Sequence, residues 1–238
     1  MTLWWSAPYD DHMRRVAALL AALLSSLIIA FVTACAGMGG TSGTLPGGAT
    51  LLADSAKAMR TVTSTRFALD VTGNTPGVQL RSAEGQLTKD GSAKGVARVD
   101  EGRQLLELEF VIIGQDLYLK PPTGGIQKLP LSFAGAVYDP SVILNPDKGI
   151  AAALASGKDA STEAREQVDG VDTYRLQVSF PAQPLGSLVP GLAQDKTSDI
   201  WVAVQSSRLI KAQFPTTTGS ITARFSEYDA PAQITAPI

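Results

Sequence analysis

The spacing of apolar residues changes three times along this chain, and each change marks a different kind of segment. From Val16 to Val32 the run is apolar apart from Ser25 and Ser26. Glycine then dominates Ala36–Ala49 (AGMGGTSGTLPGGA), a flexible stretch of about 14 residues with a root-mean-square span of roughly 20 Å. In Thr50–Val62 (TLLADSAKAMRTV), Leu51, Leu52, Ser55, Ala56 and Met59 share one stripe, which predicts a short amphipathic helix. Beyond it the period becomes two.

Arg66–Val71 (RFALDV) sets Phe67, Leu69 and Val71 against Arg66, Ala68 and Asp70, and Gln104–Ile113 (QLLELEFVII) sets Leu106, Leu108, Phe110 and Ile112 against Glu107 and Glu109. Such alternation puts one set on each face of a strand. Tyr174–Phe180, Asp199–Gln205, Leu209–Phe214 and Ser220–Tyr228 repeat it, with turn signals at Thr72-Gly73-Asn74, Asp90-Gly91, Asp100-Glu101-Gly102, Gly114-Gln115-Asp116, Asp169-Gly170 and Thr218-Gly219. The pattern predicts an α+β fold built on a large antiparallel meander with one wet and one apolar face. Its cover would come from the helix at 50–62, one at about 146–156 (PDKGIAAALAS) and a short one near 183–192. A sheet of about ten strands with so little cover must curl or close on itself. Periodicity does not say whether it would enclose a filled core or a cavity.

The first apolar run follows Met13, Arg14 and Arg15. It is shorter than the roughly 20 residues that cross a bilayer core and no basic stop signal follows, so residues 1–34 read as a cleaved export signal. The first twelve residues, MTLWWSAPYDDH, place Asp10 and Asp11 where a signal wants positive charge. Translation is therefore expected to start at Met13, the alternative being an extension lost with the signal. Cys35, the one cysteine, follows Val32-Thr33-Ala34. This resembles the lipobox of bacterial lipoproteins, which implies a diacylglycerol on the Cys35 thiol, cleavage just before it, and anchoring on the extracytoplasmic side of the cell membrane. A single cysteine forms no intramolecular disulfide, and two or three acyl chains on it anchor stably where one would not. Residues 35–49 are then the lipidated cysteine and tether, and 50–238 one domain.

Losing residues 1–34 removes Arg14, Arg15, Asp10 and Asp11 together, so the net charge of −2 is unchanged. Neither nucleic acid nor an anionic membrane face is implied. The one histidine, His12, also goes, which excludes Ser-His-Asp and Cys-His catalysis and ordinary zinc sites from the remaining chain. Carboxylates are left. Glu107 and Glu109 lie about 6.5–7 Å apart at the strand rise, inside the range of inverting glycosidases, yet any wet sheet face carries such pairs. Asp139, Asp147 and Asp159 lack the compact oxygen-rich loop of a calcium site, and the adjoining Pro140 and Pro146 suit turns better. GxSxG, P-loop, GxGxxG and CxxC patterns do not occur. Trp201, on a strand, suits core or sheet surface. No catalytic residue, metal or cofactor is expected.

Ala136–Leu154 (AVYDPSVILNPDKGIAAAL), with LLADSAKAM at 51–59, FVIIGQDLYL at 110–119, VDGVDTYRLQV at 168–178 and DIWVAVQSSRLIKAQF at 199–214, is similar to the mycobacterial lipoproteins called LppX, LprA, LprF and LprG. The likeness spans nearly all of the chain after the signal. Two departures are Tyr228-Asp229, where that family usually has tryptophan and glycine, and a looser PAQPLGSLVPG at 181–191. The resemblance implies a half-barrel with helices on its concave side and a hydrophobic cavity for the acyl chains of lipids or glycolipids carried through the cell envelope, with an envelope lipid exporter as a candidate partner. The wall expected from it is Phe67, Leu69, Val71, Leu106, Leu108, Phe110, Ile112, Leu117, Leu176 and Val178, with Ile143, Ile150 and Leu154 from the helical side. Residues 121–137 would form a mobile lip. Two rival readings are a protein-interaction or sensor module with a filled core and an exposed apolar patch, and a carboxylate hydrolase with a polar cleft.

Overall fold

Twelve helical residues, α1 (Gly48–Met59), open the fold and deliver the chain to a long run of strands. The structure, a computed structural model, describes residues 44–73, 79–101, 104–134, 140–188, 192 and 194–237. The chain divides into Met1–Thr44 and Leu45–Ile238, and the second unit is the one described. After α1 come β1 (Ser64–Val71), β2 (Leu80–Thr88), β3 (Ala93–Glu101), β4 (Gln104–Ile113), β5 (Asp116–Lys120) and β6 (Gln127–Pro130). Two 3-10 turns at Leu131–Ala134 and Pro140–Val142 lead to α2 (Ile150–Ser156), β7 (Lys158–Val168), β8 (Val171–Phe180), α3 (Ala182–Leu188), β9 (Lys196–Ala203), β10 (Leu209–Pro215) and β11 (Ser220–Ser226).

The strands form one open 11-stranded sheet in the order β6-β5-β4-β3-β2-β1-β11-β10-β9-β8-β7. Every pairing is antiparallel. Both free edges are blunted against pairing with other chains: β6 has four residues and ends at Pro130, and β7 is rich in charge and broken by two register shifts.

The register builds the apolar face. One cross-strand row runs Leu108, Ala97, Ala83, Leu69, Ala223, Ala212, Ile200, Leu176 from β4 to β8. The next runs Leu119, Phe110, Gly95, Gly85, Phe67, Phe225. In that second row Gly85 faces Gly95, and a Cβ on either would lie 2.0 or 1.9 Å from a carbonyl oxygen of the opposite strand. The sheet folds inward so sharply between β2 and β3 that only glycine fits.

The helices gather over one side. Helix α1 packs on α2 and β7, and α2 packs on α3 and β8; α1 turns Gly48, Leu52, Ser55, Ala56 and Met59 inward. Gly48 is pressed against the Ala160 backbone, and the Thr162 hydroxyl donates to the Pro46 carbonyl at 2.7 Å. The last residues of the glycine-rich stretch thus belong to the fold and not to a tether. The ILNPDKG stretch is an Asn turn: the Asn145 side-chain oxygen accepts from the Asp147 and Lys148 N–H groups at 2.9 and 3.1 Å, and Asp147 pairs with Arg60 at 2.8 Å. Helix α2 starts only after that turn, four residues later than its pattern predicts.

Other expectations shift too. Helix α3 ends at Leu188 and holds a non-helical Gln183. The last strand stops at Ser226 because Glu227 and Asp229 adopt positive φ, 48° and 59°. The expected lip at 121–137 is instead partly built into the sheet, as edge strand β6 and the turn at Leu131–Ala134, with Leu131 buried; residues 135–137 lie outside the described residues.

Candidate functional site: an apolar face with unequal cover

The thirteen expected wall residues do share the inner side, but their surroundings differ. Val71, Ile112, Leu117, Ile150, Leu154, Leu176 and Val178 are buried in one continuous core with α1, α2 and β9–β11. Leu176 and Val178 are 0 % exposed and Leu154 2 %. Phe67, Leu69, Leu106, Leu108, Phe110 and Ile143 are only half-buried. Five of those six lie on β1 and β4, which among the described residues have no helix packed on them as extensively as β7 and β8 do; Phe67, Leu69 and Phe110 pack at the margin of the core. Cys35 lies outside the described residues.

Midway along β2 and β3 the inner positions between β1 and β4 are Ala83, Gly85, Gly95 and Ala97, with the buried Leu87 and Ala93 next on the same face. Small side chains there leave a furrow, with Phe67 and Leu69 along one bank and Leu106, Leu108 and Phe110 along the other. Large-residue alternation misses this floor, because neither strand shows it; a small-residue period of two in AEG and AKGVA is the signal that would have found it.

A polar clasp closes the sheet beside Phe67. The Tyr228 hydroxyl donates to the Leu209 carbonyl, and Arg208 sits 5.1 Å from the Tyr228 ring centre. Burial pushes the Tyr228 phenol up, so it stays a donor. Asp229 accepts from the Thr63 N–H at 2.8 Å, the Thr63 hydroxyl at 2.9 Å and Arg208. Its burial opposes ionisation, but these donors together hold its carboxyl below the usual range. Of the two residues that depart from the family pattern, Tyr228 therefore ties the segment after β11 to the start of β10 and Asp229 ties it to the residue before β1.

The remaining candidates are surface features. Glu107 pairs with Arg98 at 2.8 Å and Glu109 with Lys120 at 3.0 Å, all four exposed. Trp201 lies on the outer face and is nonetheless buried: its Nε1 donates to Glu166 at 2.5 Å and Lys211 stands 4.0 Å over its ring. Glu166 belongs to β7, two strands away, and Asp169 of the next turn comes within 3.9 Å of Arg224 on β11, so the β7–β8 hairpin end twists back over the outer face. Two recesses, about 480 and 470 Å³, share only Phe67 with the expected wall. Among the described residues there is no cluster of metal ligands and no helix long and apolar enough to cross a membrane.

The family profile described as LppX_LprAFG lipoprotein matches residues 47–234. The lipoarabinomannan carrier protein LprG of Mycolicibacterium smegmatis is 32% identical over 218 residues, 87% of this chain and 91% of that protein. Its namesake from Mycobacterium tuberculosis is 27% identical over 231 residues, 95% and 96% of the two chains. Among solved structures, LprF from Mycobacterium bovis superposes with a TM-score of 0.73 at 21% identity, covering 80% of this chain and 96% of that one. LppX from Mycobacterium tuberculosis gives 0.59 at 21% identity, covering 78% and 98%. The large open antiparallel sheet is the fold of both.

Proposed function

This chain belongs to the LppX_LprAFG lipoprotein family, and we propose that it is a membrane-anchored carrier. In this reading it holds the acyl chains of a lipid or glycolipid against the uncovered part of its inner sheet face and moves them through the cell envelope. The observation that carries it is the contiguous set of half-buried large apolar side chains, Phe67, Leu69, Leu106, Leu108 and Phe110, along a furrow floored by alanine and glycine. Apolar side chains in such number are left short of cover where something else supplies it. The relatives named as lipoarabinomannan carriers support a glycolipid cargo.

The mechanism needs no bond-making step. Each methylene withdrawn from water contributes about 0.8 kcal/mol, so long acyl chains bind by burial alone. Diacylglycerol on Cys35 would hold the protein at the membrane while its domain collects cargo. The protein-interaction reading gains less support: the exposed large apolar residues among those described are Leu45 ahead of α1, Leu105 on β4 and Val171 on β8.

The test is to purify residues 36–238 from an actinobacterial host, extract with organic solvent and identify bound lipid by mass spectrometry. Stoichiometric multi-acyl lipid is expected, and Leu108→Trp or Ala97→Leu should reduce it while leaving the thermal midpoint within a few degrees. A lipid-free protein, or lipid retained in full by both variants, would overturn the carrier reading.

A further inference from the structure

Much of the outer face of the sheet is laced by cross-strand pairing, and neighbouring rows differ in how far they are. In the row that crosses β8, β9, β10 and β11 at Arg175, Trp201, Lys211 and Arg224, every residue is engaged: Arg175 with Glu166, Trp201 with Glu166 and Lys211, and Arg224 with Asp70. Two residues along the strands, the parallel row is Gln177, Asp199 and Gln213, opposite one another in register. Among the described residues, none of these three side chains has a hydrogen-bond or ion-pair partner.

They line the 470 Å³ recess together with Thr72, Thr197 and Ser220. It is an open recess whose lining mixes amides, hydroxyls and one carboxylate with the apolar surface of Pro215 and Gly219. The amides both donate and accept, the carboxylate accepts only, and the hydroxyls do either. Neighbouring strands set the three central groups about 4.8 Å apart. A floor with spare donors and acceptors at that spacing, and no cation, suits a neutral polyhydroxylated ligand better than a phosphate, which would call for arginine or lysine.

We propose that this outer recess is a carbohydrate subsite, in which Gln177, Asp199 and Gln213 bind the hydroxyls of a short neutral glycan. The glycan is either the headgroup of a glycolipid or a free envelope polysaccharide; both present the same chemistry. The proposal stands apart from the acyl-chain reading, because the recess holds none of the inner-face residues on which that reading rests.

The experiment is a titration of the signal-free chain, residues 36–238, with α-1,6-mannobiose and with maltose, followed by amide-resolved NMR. Saturable shifts are expected at the Gln177 and Gln213 side-chain amides with at least one sugar. Gln177→Ala and Gln213→Ala should each weaken sugar binding about five-fold, the loss of one net hydrogen bond, with the thermal midpoint unchanged. A headgroup source would also weaken glycolipid binding in the double variant; a free-glycan source would leave it unaltered. No saturable shift with either sugar up to its solubility, shifts confined to other regions, or full affinity in the double variant would overturn the proposal.

Discussion

One apolar face serves two purposes in this molecule. Over β8–β11 its side chains meet α1 and α2 and are sealed, as at Leu176, Val178 and Ile200. On β1 and β4 the same alternation continues with equally large residues, yet Leu69, Leu106 and Leu108 remain half-buried. Sequence period alone makes these halves look identical. Burial separates them, and it teaches that a strand's inward residues are core only when an element exists to cover them.

The sharpest way to break the comparison is Leu176→Ala, which removes a fully buried side chain from the sealed half and should cost about 2–5 kcal/mol in urea unfolding. Next comes the fold line between the half-buried banks. Gly95→Ala places a methyl group on the Glu84 carbonyl and should cost about 1–3 kcal/mol through strand displacement, with reduced lipid uptake as the furrow opens out. Smaller again is Asp229→Asn in the clasp, about 1 kcal/mol, reduced because the pair with Arg208 is partly exposed.

That third effect has a pH signature. The folded Asp229 carboxyl lies below its ordinary value, so its contribution is full above the unfolded value of about 3.9 and is lost as pH falls through the folded one. The gap between the parent and Asp229→Asn should therefore be present at neutral pH and close in acid; a gap that widened in acid would refute the assignment. A similarly small change is expected from Leu108→Ala in the less covered half, about 1 kcal/mol in the lipid-free protein, since that side chain is only half-buried there. A loss there as large as that of Leu176→Ala would show that the two halves are equally packed.

Much of this architecture was legible because large apolar residues alternate on β1, β4, β8 and β11 and because Leu52, Ser55, Ala56 and Met59 follow helical spacing. Strands β2, β3 and β7 were not, for a physical reason: β2 and β3 carry alanine and glycine inward, where bulk would clash, and β7 is an edge strand with little to bury. The Asn145 turn hid the true start of α2, since the apolar spacing of Ile150 and Leu154 does not reveal that a preceding side chain has captured the backbone. For the site, the residue types were readable and their cover was not. Which of the thirteen residues would be sealed depended on where three short helices settle. The burial of Trp201 on the wet face was equally hidden, because it follows from the twist of a hairpin two strands away.

The pairing of β1 with β11 has a bearing on how the chain acquires its shape. β1–β6 form one meander and β7–β11 another, each pairing neighbours in sequence. Only the β1–β11 seam is remote, joining residues such as Arg66 and Glu227, 161 positions apart, and closing so long a loop is the slow and entropically costly step. A nascent chain that has not yet released residues 220–229 holds at most two separate half-sheets, so neither the furrow nor the sealed core can be completed until those residues have emerged.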